Sequence, residues 1–216
     1  MYLTQEMTRR ALVSMRNFHR DLSGCFHRHN LTLEENTGRR NAYLSQAQEA
    51  FFSEQLKGRF PLAHCDGRTG QPDIVIPEIG IDLECKLTSP SSSGSLSFQA
   101  DGDRFGDGKK DFLYVVADNQ FENFVVLHFH GLHRSDFSTT VASSRGKAKM
   151  KKSETFNRCT VLHGEYIPKS IGMLSQINAK LASKRPGTLT YQKLLERKEY
   201  WENPDNESFS VKLSPV

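Results

Sequence analysis

Two short runs rich in β-branched residues, Ile74-Val75-Ile76 and residues 81–87, flank the tetrapeptide Pro77-Glu78-Ile79-Gly80, whose composition marks a turn. The pattern predicts an antiparallel hairpin closed by residues 77–80. Its register sets Ile76 opposite Ile81, Val75 opposite Asp82, Ile74 opposite Leu83 and Asp73 opposite Glu84. Side chains alternate with period two, so Asp73, Glu84 and Lys86 share one face. Ile74, Ile76, Ile81, Leu83 and Cys85 form the other face, which can pack on a helix. A slip of one residue would bury the acids, and the register is therefore strongly specified.

The rest of the chain supplies partners for that hairpin. Residues 5–22 place Leu12, Met15 and Leu22 at helical spacing, with Thr4 as the N-cap. Residues 23–40 read as a loop with one short helix. A second helix is predicted over 42–58, with Leu44, Ala47 and Phe51 on one side and Gly58 ending it. Strands are predicted at 112–117 and 123–130, and helices at 169–183 and 189–201, the last packing Tyr200 and Trp201 into the core. Helix, then strands, then helices argues an α/β fold with a central mixed β-sheet flanked by helices. No repeat or linker divides residues 1–216, and a single domain is expected.

Composition narrows the function classes. No apolar run is long enough for a membrane helix, and the start, Met1 to Glu6, lacks the basic-then-apolar pattern of a secretory leader. A cytoplasmic protein with no membrane partner is expected. Cys25, Cys65, Cys85 and Cys159 stand far apart without a CxxC pair, which argues against a disulfide scaffold or a Cys-only zinc site. The net charge is only +4. The basic residues cluster, however, in the acid-free run from Ser143 to Lys152.

Two carboxylates set opposite each other lie about 5 Å apart at Cβ. At an effective dielectric near 20 they repel by roughly 3 kcal/mol. A divalent cation such as Mg²⁺ would relieve that repulsion and keep waters for chemistry. Lys86 can then hold or deprotonate a metal-bound water and balance charge on a phosphate. Pro72-Asp73 followed by Glu84-Cys85-Lys86 resembles the signature of the PD-(D/E)xK nucleases, most closely that of small Type II restriction endonucleases. The resemblance implies a restriction-endonuclease-like sheet, with a catalytic core over about 42–130 and a C-terminal helical part over about 165–202. It makes Asp73 and Glu84 metal ligands, joined by the main-chain carbonyl of Cys85, and Lys86 the water-orienting or general-base residue. It also assigns a helical glutamate to the site, for which Glu49 is chosen over Glu54. The implied reaction is Mg²⁺-dependent hydrolysis of double-stranded DNA (Mn²⁺ substituting) by a homodimer, leaving 5′-phosphate and 3′-hydroxyl ends.

DNA contacts are expected from Arg104, Lys109 or Lys110 in the loop beside the active face, from Arg134, and from Arg145, Lys147, Lys149, Lys151 and Lys152 in the basic segment. Another nuclease of the same fold, acting on damaged or branched DNA, and a DNA-binding module without catalysis are the alternatives. Asp101, Asp103 and Asp107 only partly mimic a calcium loop, since Phe105 and Phe112 fall where ligands belong. His128, His130 and His133 invite a zinc site, but no fourth ligand stands at suitable local spacing, and a polar strand face is expected instead.

Overall fold

Thr4 opens the first helix. In the computed structural model its hydroxyl accepts a hydrogen bond from the Met7 amide at 3.1 Å, and α1 runs Gln5–Arg28. The structure describes residues 1–66, 68, 71–90, 96, 98–101, 108–138, 146–151, 155–203 and 209–216. α1 continues well past the expected end at Leu22. The residues of its last turns have tertiary partners that their scattered composition hides. Ser23 donates to Glu34 at 2.6 Å, and Phe26 meets Tyr43 edge-on at 5.7 Å between ring centres. α2 (Thr37–Lys57) likewise starts before the expected Ala42, because the Asn36 side chain accepts from the Arg39 amide at 3.0 Å. Arg40, fully buried in its first turn, donates to the main-chain oxygens of Asp118 and Asn119 and to the Ser89 hydroxyl.

The strands follow as β1 (His64–Cys65), β2 (Ile74–Ile76), β3 (Ile81–Thr88), β4 (Gln99–Asp101), β5 (Lys110–Ala117), β6 (Asn123–Leu132), β7 (Lys147–Lys149), β8 (Cys159–His163) and β9 (Glu165–Pro168). Helices α3 (Lys169–Ala182) and α4 (Leu189–Glu202) come next, then β10 (Phe209–Lys212) and β11 (Ser214–Pro215). β4 pairs antiparallel with β7 in a separate two-stranded ladder. A seven-stranded mixed sheet is ordered β1-β2-β3-β5-β6-β11, with β8 also on β6. Among the described residues, β3–β5 is the one parallel ladder of this sheet.

The hairpin adopts the expected register: Ile74 faces Leu83, Val75 faces Asp82 and Ile76 faces Ile81. Its loop is one 3₁₀ turn, Pro77–Ile79, closed by Gly80 at φ +63°, a backbone region that favours glycine. α1 and α2 cover one face of the sheet. Leu12, Met15, Leu44, Phe52 and Leu56 pack there with Ile74, Ile76, Leu83, Cys85, Leu113 and Val115. Phe112, Tyr114, Val116, Leu127 and Phe129 fill the opposite face, covered by Phe98 and Ala100 around β4 and by Ala148 and Met150 around β7. With both faces covered, β5 and β6 read as near-continuous apolar runs.

The C-terminal helices depart from expectation. α3 and α4 pack mainly on each other, with Ile177 and Leu194 buried, while Tyr200 is 52% exposed and Trp201 half-buried. Tyr200 and Trp201 meet each other edge-on, and neither is part of the buried core. Among the described residues no helix is long and apolar enough to cross a membrane.

Candidate active site

Asp73 lies one residue before β2, where the hairpin ladder ends. Its Oδ2 atom accepts a hydrogen bond from the Cys85 amide at 2.7 Å, which turns the carboxylate along β3 toward Glu84 and Lys86. Lys86 Nζ lies 3.2 Å from Glu84 Oε2 and 3.6 Å from Asp73 Oδ2. The three side chains therefore converge on one face, as the alternation predicts.

β5 adds a fourth group. Glu84 is in register with Phe112 across the parallel pair, and Lys110 precedes Phe112 by one pleat on the same face. Its ammonium reaches Glu84 Oε1 at 3.0 Å. Glu84 is thus held between two lysines, each largely buried. This corrects the premise that the acid pair needs a metal ion to be tolerated: two ammonium groups already offset the two carboxylates. The sequence places Lys110 among loop cations facing DNA, because the pairing of β5 with β3 across 26 residues has no local signature.

Protonation follows from this packing. Burial works against the Lys86 charge, but Asp73 and Glu84 outweigh it and its pKa is raised. Lys86 is consequently a persistent cation rather than a ready base. Burial raises the Asp73 pKa, Lys86 pulls it down, Glu84 pushes it up again, and the result is a rise. Glu49, half-buried on α2, is pushed up to about 7 by burial first and then by the Asp73 charge. Its electrostatic coupling to Asp73, Lys86 and Glu84 puts it near the cluster. The Cys85 thiol packs in the core on the opposite face, leaving its main chain as the part that can serve the site.

The expected DNA contacts separate into groups. Arg104, Arg145 and Lys152 lie outside the described residues. Lys109, Lys149 and Lys151 are exposed, while Lys147 pairs with Asp101 at 3.1 Å. Arg134 donates to the main-chain oxygens of Phe137 and Ser138, so it braces its own turn. Asp103 and Asp107 of the acidic loop also fall outside the described residues.

The strand histidines gain a partner that their local spacing does not show. His128 and His130 are joined by Asp111 of β5, and one ligand atom from each lies within 4.8 Å of the others, a group that could hold a metal ion. His133 instead caps the 3₁₀ turn Arg134–Asp136. Sequence spacing missed Asp111 because it arrives from the neighbouring strand. The visible hint was an acid at the head of an otherwise apolar strand.

No family model matches the chain, and no curated protein or solved structure matches it.

Proposed function

We propose that the protein is a metal-dependent endonuclease of the restriction-endonuclease type, acting on double-stranded DNA with Asp73, Glu84, Lys86 and Glu49 at its catalytic centre. The observation that carries this reading is the convergence of Asp73, Glu84 and Lys86 from two motif segments onto one face, with Glu49 brought beside them by α2. A donor set made of carboxylates with the Cys85 carbonyl fits a hard, oxygen-seeking ion such as Mg²⁺. Glu49, near Asp73 and Glu84, adds a further carboxyl group to that set. Bound at Asp73 and Glu84, Mg²⁺ would acidify a water and offset charge growing on the scissile phosphate.

The chain's own groups have separable tasks. Lys86 donates to and orients a water or phosphate oxygen, because its neighbours hold it charged. Glu49 stands near Asp73 and Lys86 as a further acid group that can exchange a proton with the site. Lys110 pins the second oxygen of Glu84 and so fixes the direction in which its other oxygen points. Exposed Lys109, Lys149 and Lys151 are placed to meet phosphates. Action as a homodimer, with each copy cutting one strand to leave 5′-phosphate and 3′-hydroxyl ends, accords with this reading.

Incubation of supercoiled plasmid with the purified protein and Mg²⁺ tests it. Nicked or linear DNA is expected from the wild type and none from Asp73→Ala or Glu84→Ala; equal cleavage by these variants ends the proposal. Discrete fragments would mark a sequence-specific enzyme, and cleavage of branched or mismatched duplexes alone a structure-specific one. A second reading, a DNA-binding module without catalysis, draws on the pairing of Lys86 and Lys110 with the acids. It predicts salt-dependent DNA binding and no calorimetric response to Mn²⁺ that depends on Asp73.

A further inference from the structure

We propose that Asp111, His128 and His130 form a separate binding site for a first-row transition-metal dication such as Zn²⁺, on the sheet face opposite the Glu84 cluster. Lys110 and Asp111 are consecutive in β5 and point to opposite faces: Lys110 toward Glu84, Asp111 toward Tyr2 and the α1 side. The two sites are therefore divided by the sheet, and this inference does not depend on the nuclease reading.

Three features build the site. First, Asp111 Oδ1 is taken by the Gly131 amide at 2.7 Å, which leaves Oδ2 as the atom turned toward the rings. Gly131 has φ +56°, and the β5–β6 register shifts there, a bulge of the kind that re-aims neighbouring side chains. Second, Asp111 Oδ2 lies 3.0 Å from His128 Nε2 and 3.5 Å from His130 Nδ1. The Tyr2 hydroxyl caps the group, 2.8 Å from Asp111 Oδ2 and 2.9 Å from His128 Nε2. Third, each ring is oriented for the cluster. His130 Nε2 bonds the Thr160 hydroxyl at 3.0 Å, directing Nδ1 inward. His128 is fully buried and makes its polar contacts through Nε2, with Nδ1 unpartnered.

The spacing suits a small dication. Bonds of about 2.1 Å put neighbouring donors about 3.0 Å apart at right angles and about 3.4 Å apart at tetrahedral angles. The observed separations of 3.0 and 3.5 Å fall near those spans, and an ion would replace the His128–Asp111 hydrogen bond and displace the Tyr2 hydroxyl that stands beside both atoms. The donor types select its class: two imidazoles with one carboxylate suit zinc, iron, cobalt or nickel, whereas Mg²⁺ prefers oxygens alone. Access is one-sided. His128 and Asp111 are buried, but the His130 side chain is 37% exposed, so an ion would enter past His130 and keep solvent-facing positions there.

The test loads the full-length protein with Zn²⁺ or with Co²⁺ as a spectroscopic stand-in, desalts it and measures metal content. One equivalent is expected to remain with the wild type and with Glu84→Gln, and Co²⁺ should show the visible bands of a nitrogen-ligated ion. His130→Ala, chosen because its ring is partly exposed and the fold should survive its loss, should weaken binding by about tenfold or more with an unchanged far-ultraviolet spectrum. Asp111→Asn should do the same. Absence of retained metal in the wild type, or equal retention by His130→Ala, overturns the proposal and leaves a hydrogen-bonded anchor for Tyr2. Metal lost with Glu84→Gln but kept with His130→Ala would assign the ion to the other face and overturn it equally.

Discussion

The Lys110 ammonium lies 3.0 Å from Glu84 Oε1 while Lys86 holds the other carboxylate oxygen at 3.2 Å. One carboxylate is thereby shared by two cations in a setting where each is at most about a fifth exposed. The arrangement fixes both oxygens of Glu84 in place, and it makes metal uptake a matter of competing with ammonium groups.

Lys110→Met should remove one of those competitors and leave Glu84 short of a partner. Breaking a charged, largely buried hydrogen bond while Lys86 remains is expected to cost about 1–3 kcal/mol in urea unfolding without metal. Millimolar Mn²⁺ should recover part of the loss, because an ion that binds only the folded chain stabilises it. A Lys110→Met protein as stable as the wild type would show that the pair contributes nothing.

Glu49 makes stability depend on pH in a stated direction. Its carboxyl rises from an ordinary 4.5 to about 7, with burial the main cause and Asp73 next. Between those values the folded chain holds a proton that the unfolded chain has released, so stability falls as pH rises through the window. Glu49→Gln should flatten that fall between pH 5 and 8, although the raised Asp73 pKa leaves a residual slope of the same sign at the acidic end. Urea midpoints at the two pH values measure it; parallel losses in both proteins would remove Glu49 from the cluster.

For DNA binding, glutamine substitutions at Lys109, Lys149 and Lys151 together probe phosphate contact. Each neutralised phosphate contributes about 0.9 to the slope of log affinity against log salt. The triple variant should lower that slope by about 2–3 and weaken all sequences alike. An unchanged slope would place the DNA path elsewhere.

Gly164 joins β8 to β9 at φ +72°, and a methyl group there would stand 2.5 Å from Val125 Cγ2, 2.8 Å from the Phe124 oxygen and 2.9 Å from the Lys212 oxygen. Two of these are main-chain atoms that cannot swing aside. Gly164→Ala should lose about 2–4 kcal/mol from overpacking combined with left-handed strain. Denaturation that leaves its midpoint in place would mean that β9 and β10 can shift away freely.

The hairpin was readable from the chain because one register alone buries Ile74, Ile76 and Leu83 together while keeping Asp73, Glu84 and Lys86 on the other face. Period-two alternation is a local property, and so is the Thr4 cap. Helix lengths were less legible: Asn36 and Arg40 start α2 early through a cap and through contacts with residues 118–119, which apolar spacing does not register. Lys110 and Asp111 illustrate the larger gap. Neither carries a motif, and each acquires its meaning from another strand, β3 for one and the next strand, β6, for the other. Cross-strand neighbours are chosen by how whole faces of the sheet bury their apolar groups, a global balance that assembles charges whose proximity no short stretch of residues encodes.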